Sequence, residues 1–240
     1  MKLRFLAAFA CAASAPAFAG PPYITDDPIP TDTGHWEIYA FTNGEGRRST
    51  FDTDAGFDLN YGPVKDVQLT ATLPVSFSHE PGNGLRTGTG DIEVAVKDRF
   101  FNDEKNGLSA AVFPRAFLPT STLEHGERTR LLLPIWLQKD FAGGTSIFGG
   151  GGFELNPGSG NRNFWQAGLT VTHDLSRSLS VGGEVAWQQR DSSAGTAETD
   201  AGLGTIIKLS DHYALLFSGG PTWAGHRNGY HFYGSLGLFF

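Results

Sequence analysis

The side chains through which this chain could act on another molecule are Glu37, Asp54, Asp58, Asp91, Glu93, Lys97, Arg115, Arg130, Glu154, Glu184, Arg190 and Lys208. Both signs are present, and the spacing builds neither a nucleophile nor a metal nest. The seven His are scattered with no His-Glu-x-x-His pattern, so each reads as a loop or interface residue. Asp26 and Asp27 fall far short of the roughly six to eight oxygens that a hard cation takes, and read as a solvated turn or strand-entry cap. The glycine run at 149–152 lacks the Gly-Lys-Ser/Thr ending of a phosphate loop and fits close strand packing or a bend. No Gly-x-Ser-x-Gly elbow occurs, although a Ser, a His and an acid brought together across strands stays open, because such triads are geometric. No cofactor and no metal is expected. What these charges can do is line an enclosed passage, and that depends on the elements that carry them.

Those elements read as strands. Val67, Leu69, Ala71, Leu73, Val75 and Phe77 alternate with Gln68, Thr70, Thr72, Pro74 and Ser76, a two-residue period that no helix would keep apart. The same rule predicts strands around 36–40, 51–59, 92–96, 108–118, 131–137, 147–155, 165–171, 179–187, 203–209, 213–217 and 232–240, twelve in all with 67–77. Tight turns are expected near 62–65, 102–106, 142–144, 176–177 and 210–211. Longer polar loops are expected near 43–50, 80–88, 120–127, 156–163, 191–199 and 224–229. An even strand number with short turns on one side and longer loops on the other is the pattern of a bacterial outer-membrane barrel with both chain ends on the periplasmic side. The fold class is therefore all-β, a transmembrane antiparallel up-and-down barrel of about twelve strands.

Composition separates this from a soluble β-fold. The chain has 240 residues, 32 of them Gly and 13 Pro, with 18% charged residues and a mean hydropathy of −0.20, so Gly, Ser, Thr, Asn and Gln carry its polarity. No apolar run approaches the ~18 residues of a spanning helix. Lys2 and Arg4, an apolar core over 5–13 and Ala17-Phe18-Ala19 read as a signal peptide over 1–19, whose removal leaves 221 residues, no cysteine and a net charge of −9. That sign argues against a nucleic-acid partner. The processed chain has only five Lys, too few for polar strand faces exposed to bulk water. Tyr61, Phe100, Phe141, Tyr213 and Phe240 near inner strand ends, and Phe77, Phe153, Trp165, Trp187 and Trp223 near outer ends, fit two interfacial girdles.

Three local features complete the reading. The last strand alternates Phe232, Gly234, Leu236, Leu238 and Phe240 with its polar face, and a terminal aromatic there resembles the signal read by the barrel assembly machinery. Pro74, Pro114 and Pro134 lie inside predicted strands and mark bulges or bends, either tolerated or forming a side exit toward the membrane. The segment 20–33, with four Pro, has little strand pattern and reads as either a plug inside the barrel or a periplasmic tail; the barrel itself is expected over 34–240.

The chain resembles the outer-membrane family labelled "MetA-pathway of phenol degradation". The resemblance rests on Tyr23-Ile24-Thr25-Asp26-Asp27-Pro28, on Gly34-His35-Trp36-Glu37 and on Gly88-Thr89-Gly90-Asp91-Ile92-Glu93. It extends in general pattern over most of the processed chain; Thr89 departs from it, standing where an apolar residue is expected. The resemblance implies passage of small solutes, aromatic or hydrophobic ones among them, and the reading adopted is a passive conduit without covalent chemistry. A closed structural or surface-binding barrel and a membrane-embedded hydrolase stay open as alternatives. The implied partners are outer-membrane lipid, the assembly machinery and a small solute.

Overall fold

The computed structural model describes residues 22–123 and 128–240. The signal peptide expected over 1–19, with Cys11, and the first two residues of the Pro-rich segment lie outside the described residues. Among the described residues fourteen strands form: β1 (Trp36–Arg47), β2 (Thr50–Val64), β3 (Val67–Glu80), β4 (Gly84–Thr89), β5 (Ile92–Asp103), β6 (Leu108–Val112), β7 (Arg115–Leu118), β8 (Arg130–Phe141), β9 (Thr145–Leu155), β10 (Phe164–Ser176), β11 (Leu179–Gln188), β12 (Glu198–Lys208), β13 (Tyr213–Ala224) and β14 (Arg227–Phe239). All pairings between them are antiparallel.

Two pairs of strands are halves of single staves. β4 and β5 both pair with β3, end to end, and β6 and β7 both lie between β5 and β8. Fourteen strands therefore make a closed barrel of twelve staves, sealed where β14 pairs with β1 from Glu37–Phe239 to Gly46–Tyr230. Prolines account for both breaks. Gly90 N–H reaches the Pro74 carbonyl at 3.0 Å where β4 gives way to β5. Pro114 sits in the break between β6 and β7, which is bridged by Val96 N–H to the Pro114 carbonyl at 3.2 Å and Phe113 N–H to the Pro134 carbonyl at 3.3 Å.

The side bearing the chain ends has only connections of two to four residues, as expected. On the opposite side, long connections occur at 119–129, 156–163 and 189–197, but the loops expected at 43–50, 80–88 and 224–229 are hairpin tips of two or three residues. The reason is physical. Polar residues such as Asn43, Glu45, Arg86 and Asn228 mark where a strand leaves the hydrocarbon, whereas its ladder of hydrogen bonds continues into water.

The apolar rows face outward. Leu69, Leu73 and Val75 on β3, Leu131, Leu133, Ile135 and Leu137 on β8, Leu169 on β10 and Leu203 on β12 are all exposed, Leu203 by 77%. The alternate residues, Gln68, Thr70, Glu93, Lys97, Glu154 and Glu184, are buried. A soluble domain exposes no apolar surface of this extent, so this is the exterior of an outer-membrane barrel. Trp165, Trp187 and Trp223 stand exposed toward the long-loop end, and Phe100, Phe141, Tyr213 and Phe240 toward the other. Inside the periplasmic half, Tyr39, Ala214, Leu216 and Phe239 form a small apolar core flanked by Ile206 and Tyr233.

Candidate functional site

Residues 22–33 lie inside the barrel as a strap, not as a tail. Its head is held by β11: the N–H groups of Ile24 and Thr25 each donate at 3.1 Å to one oxygen of Glu184. Ser218 donates its hydroxyl to the Pro22 carbonyl. Its middle is held by β5: Lys97 Nζ lies 3.0 Å from Asp26 Oδ1 and 3.8 Å from Asp27 Oδ1, and donates to the Ile29 carbonyl at 3.3 Å. Its foot is held by β3 and β2. Thr31 donates its N–H and hydroxyl to Gln68 at 2.8 and 3.1 Å, and Thr33 bridges to Gly62.

The strap's composition suits this position. A chain in an enclosed space must satisfy every backbone donor, and Pro22, Pro28 and Pro30, all buried, have none. Room for it comes from inward-facing glycines. Gly168 meets Thr25, and a Cβ at Gly204 would lie 2.6 Å from Tyr23 Cε1. Tyr23 also packs edge-on against Phe148, centroids 6.1 Å apart.

Around the strap the wall carries charges in pairs. Arg115 forks onto Glu93, Nε–Oε1 2.6 Å and Nη2–Oε2 2.8 Å, the planar two-bond geometry that a guanidinium makes with a carboxylate. Arg130 reaches Glu154 at 3.0 Å and Asp91 at 3.7 Å. Two aromatic rings interleave these cations: Phe113 lies 4.8 Å from Lys97 Nζ and 5.4 Å from the Arg115 guanidinium, and Phe117 lies 4.7 Å from that of Arg130. Glu37 is buried and accepts from the Tyr39 hydroxyl at 2.8 Å. Asp58 accepts from Thr72 at 3.2 Å, Asp54 from Ser76, and Asp91 from the Ser121 N–H at 3.1 Å.

Of the twelve charged positions singled out in the sequence, Lys97, Glu93, Arg115, Asp91, Arg130, Glu154, Asp54 and Asp58 come together along one stretch of wall from β2 to β9. Glu37 lies nearer the periplasmic end, and Glu184 stands apart on β11 as the clasp of the strap. Lys208 lies at the periplasmic end of β12 opposite Ala214. Arg190 is a correction. β11 stops at Gln188, so the strand register does not extend to Arg190, which is exposed in the 189–197 connection.

Several residues of the site were not read from the sequence. Asp26 and Asp27, taken there as a turn or cap, are the strap's anchors on Lys97. Asp200 and Glu198 continue the inward register of β12 beyond the predicted start at Leu203; extending the alternation through Gly202 would have found them. Phe113 and Phe117 carry no signal, since an inward aromatic beside a cation looks like any other strand residue. Among the described residues, no group of three or more His, Cys, Asp or Glu is arranged to hold a metal ion.

The arrangement leaves a vestibule open toward the long loops. A cavity of about 510 Å³ has Pro22, Tyr23 and Ile24 at its floor and Asp54, Asp91, Arg86, Arg130 and His231 in its wall. A second space of about 440 Å³ shares the strap head and runs down to Lys97, Arg115 and Asp58. Below it the strap and the Tyr39 core fill the section. Carboxylates outnumber cations along this wall, so the local field favours positive over negative solutes.

No protein-family model matches the sequence, and no curated protein matches it. Solved structures do. The chain is similar to the COG4313 outer membrane channel from Pseudomonas putida F1, with a TM-score of 0.74 at 11% identity over 93% of this chain and 100% of that one. It is similar to the translocator domain of the autotransporter NalP from Neisseria meningitidis, with a TM-score of 0.59 at 13% identity over 87% and 90%. It is also similar to the NanC porin, with a TM-score of 0.58 at 10% identity over 82% and 98%. At these identities the likeness is one of fold, and that fold is the outer-membrane β-barrel.

Proposed function

We propose that this barrel is an outer-membrane conduit for small solutes, kept closed at rest by its own strap. The observation that carries this reading is how the lumen is filled. The periplasmic half is occluded by a separate segment held by polar clasps at Glu184, Lys97 and Gln68, and above it the lumen stays open as a vestibule. A barrel serving only as a structural element gains nothing from burying charges in pairs around such a segment, because replacing a buried pair by packed apolar residues is neutral or stabilising.

The solute class follows from the walls. Carboxylates disfavour anions, while Ile24, Leu123 and Tyr233 offer apolar contact in the same vestibule, so small neutral or cationic aromatic compounds fit it. The resemblance of residues 23–28, 34–37 and 88–93 to the phenol-degradation family, and the similarity in fold to a protein described as an outer membrane channel, support the same reading. Phe240 as the assembly signal, the outer-membrane lipid around the apolar belt and the assembly machinery as a partner belong to the proposal. Liposome swelling with neutral, cationic and anionic aromatic compounds tests it: swelling with the first two and not the third is expected, and no swelling with any of them, with the strap present or deleted, refutes it.

A further inference from the structure

Resting on that reading, we propose that apolar solutes leave the lumen sideways, between β12 and β13, into the hydrocarbon of the membrane. The ladder joining these strands runs Glu198–Ala224, Thr199–Trp223, Asp200–Thr222 and resumes only at Leu203–Gly219. The two pairs between, Ala201 with Pro221 and Gly202 with Gly220, are missing from an otherwise even register. β13 and β14, by contrast, pair without interruption from Tyr213–Leu238 to Ala224–Arg227. Pro221 has no N–H to give, so the ladder is weakened here by chemistry as well as geometry.

On the outer surface the interruption opens into a cavity of about 570 Å³. Its sides are Leu169, Val171, Val185 and Leu203, and its base is glycine backbone at 183 and 219. It lies in the apolar belt, below the Trp187 and Trp223 girdle. On the outer surface the spot carries only the small side chain of Ala201 and the ring of Pro221, and on the inner surface Gly202 and Gly220, so the wall is thin here. A Cβ at Gly202 would lie 3.2 Å from Glu184 Oε1 and 3.0 Å from His231 Nε2, so these two side chains cover the spot from the lumen. His231 Nε2 is buried without a hydrogen-bond partner. The portal thus begins beside the clasp that holds Ile24 and Thr25, at the floor of the vestibule, where the route to the periplasm is blocked.

Strand separation within hydrocarbon is normally prohibited by the backbone groups it leaves unpaired. Here Pro221 leaves one inter-strand hydrogen bond already unmade and the neighbouring pair, Gly202 and Gly220, has no side chains, so this is the part of the wall between β10 and β13 that opens at least cost. The side exit anticipated at Pro74, Pro114 or Pro134 does not form at the first two. There the ladder is bridged again by Gly90 N–H, Val96 N–H and Phe113 N–H.

The test is a staple. Ala201→Cys with Pro221→Cys would join the strands across the interruption, and Thr205→Cys with Phe217→Cys, an intact rung lower on the same ladder, serves as control. The probe is N-phenyl-1-naphthylamine, which fluoresces on entering the apolar layer of the outer membrane of intact cells. The protein is expected to accelerate its entry severalfold over cells lacking it. Oxidation of the 201/221 pair should abolish that acceleration, a reductant should restore it, and the control pair should leave it unchanged. Ala201→Phe, which fills the cavity without a crosslink, should lower it as well. Equal entry with both the staple and Ala201→Phe, or no acceleration by the unaltered protein, overturns the lateral route. Ion conductance of the strap-deleted protein in planar bilayers is read in parallel: its presence with unchanged probe entry sinks the portal alone, and its absence sinks the conduit reading beneath it.

Discussion

Replacing Lys97 with Met should loosen the strap. Lys97 is 1% exposed and sits with Asp26 at 3.0 Å, Asp27 at 3.8 Å and the Ile29 carbonyl at 3.3 Å. Removing one partner of a buried pair costs about 3–5 kcal/mol, because the remaining charge is left buried without compensation. That cost falls on the docked state: once the strap undocks, Asp26 and Asp27 return to water. With about 1.4 kcal/mol per factor of ten, the docked-to-undocked ratio should fall by roughly a hundredfold or more. The Glu184 clasp and the Gln68 contacts remain, so the barrel still assembles with its strap mostly in place. Thr25→Cys, close in shape to the original, supplies a reporter on a buried position of a processed chain expected to have no other thiol. Its labelling by a water-soluble maleimide should accelerate about a hundredfold with Lys97→Met. Adding Asp26→Asn and Asp27→Asn should recover part of that change by removing the uncompensated charges. A labelling rate altered less than about threefold, in a protein that still shows the heat-modifiable mobility of a folded barrel, would refute the clasp.

Three further outcomes follow from the same geometry. Gly204→Leu should displace Tyr23 from its niche, since a Cβ there already lies 2.6 Å from the ring, and should raise the maleimide labelling of Thr25→Cys without loss of assembled barrel. Asp54→Asn with Asp58→Asn should lower cation-over-anion selectivity, measured as reversal potential in a KCl gradient. A charge acting at about 4 Å in water contributes about 1 kcal/mol, so roughly a fivefold fall per carboxylate is expected. Arg115→Ala strips the bidentate partner from buried Glu93 and should cost about 3–5 kcal/mol in urea unfolding from lipid; Glu93→Gln with Arg115→Ala should recover part of it, and equal losses in the single and double variants would contradict the pairing.

The barrel was legible because lipid enforces a strict period. On β3, Val67 to Phe77 alternate so regularly that face, register and orientation all follow once the outer face is known to meet hydrocarbon. Legibility ended where that constraint ends. Beyond the membrane, Gly44 and Glu45 still pair with Thr53 and Asp52, yet a polar strand in water has no periodic signature, so it read as a loop. The inward charges could be found from register, but their partners could not: Arg115 with Glu93 and Arg130 with Glu154 join different strands, and only the sheet's stagger chooses them. Lys97 is the sharpest case, because its partners, Asp26 and Asp27, lie on a segment with no period at all. The strap's one visible cue was its prolines, which suit burial in a lumen and a solvated tail equally well.

The most direct test of the account is single-channel recording of the strap-deleted barrel, lacking residues 22–32, beside the full chain in planar bilayers. The account predicts frequent, stable, cation-selective steps from the deleted form and rare openings from the full chain. Silence from both, in preparations that are folded and inserted, would contradict it.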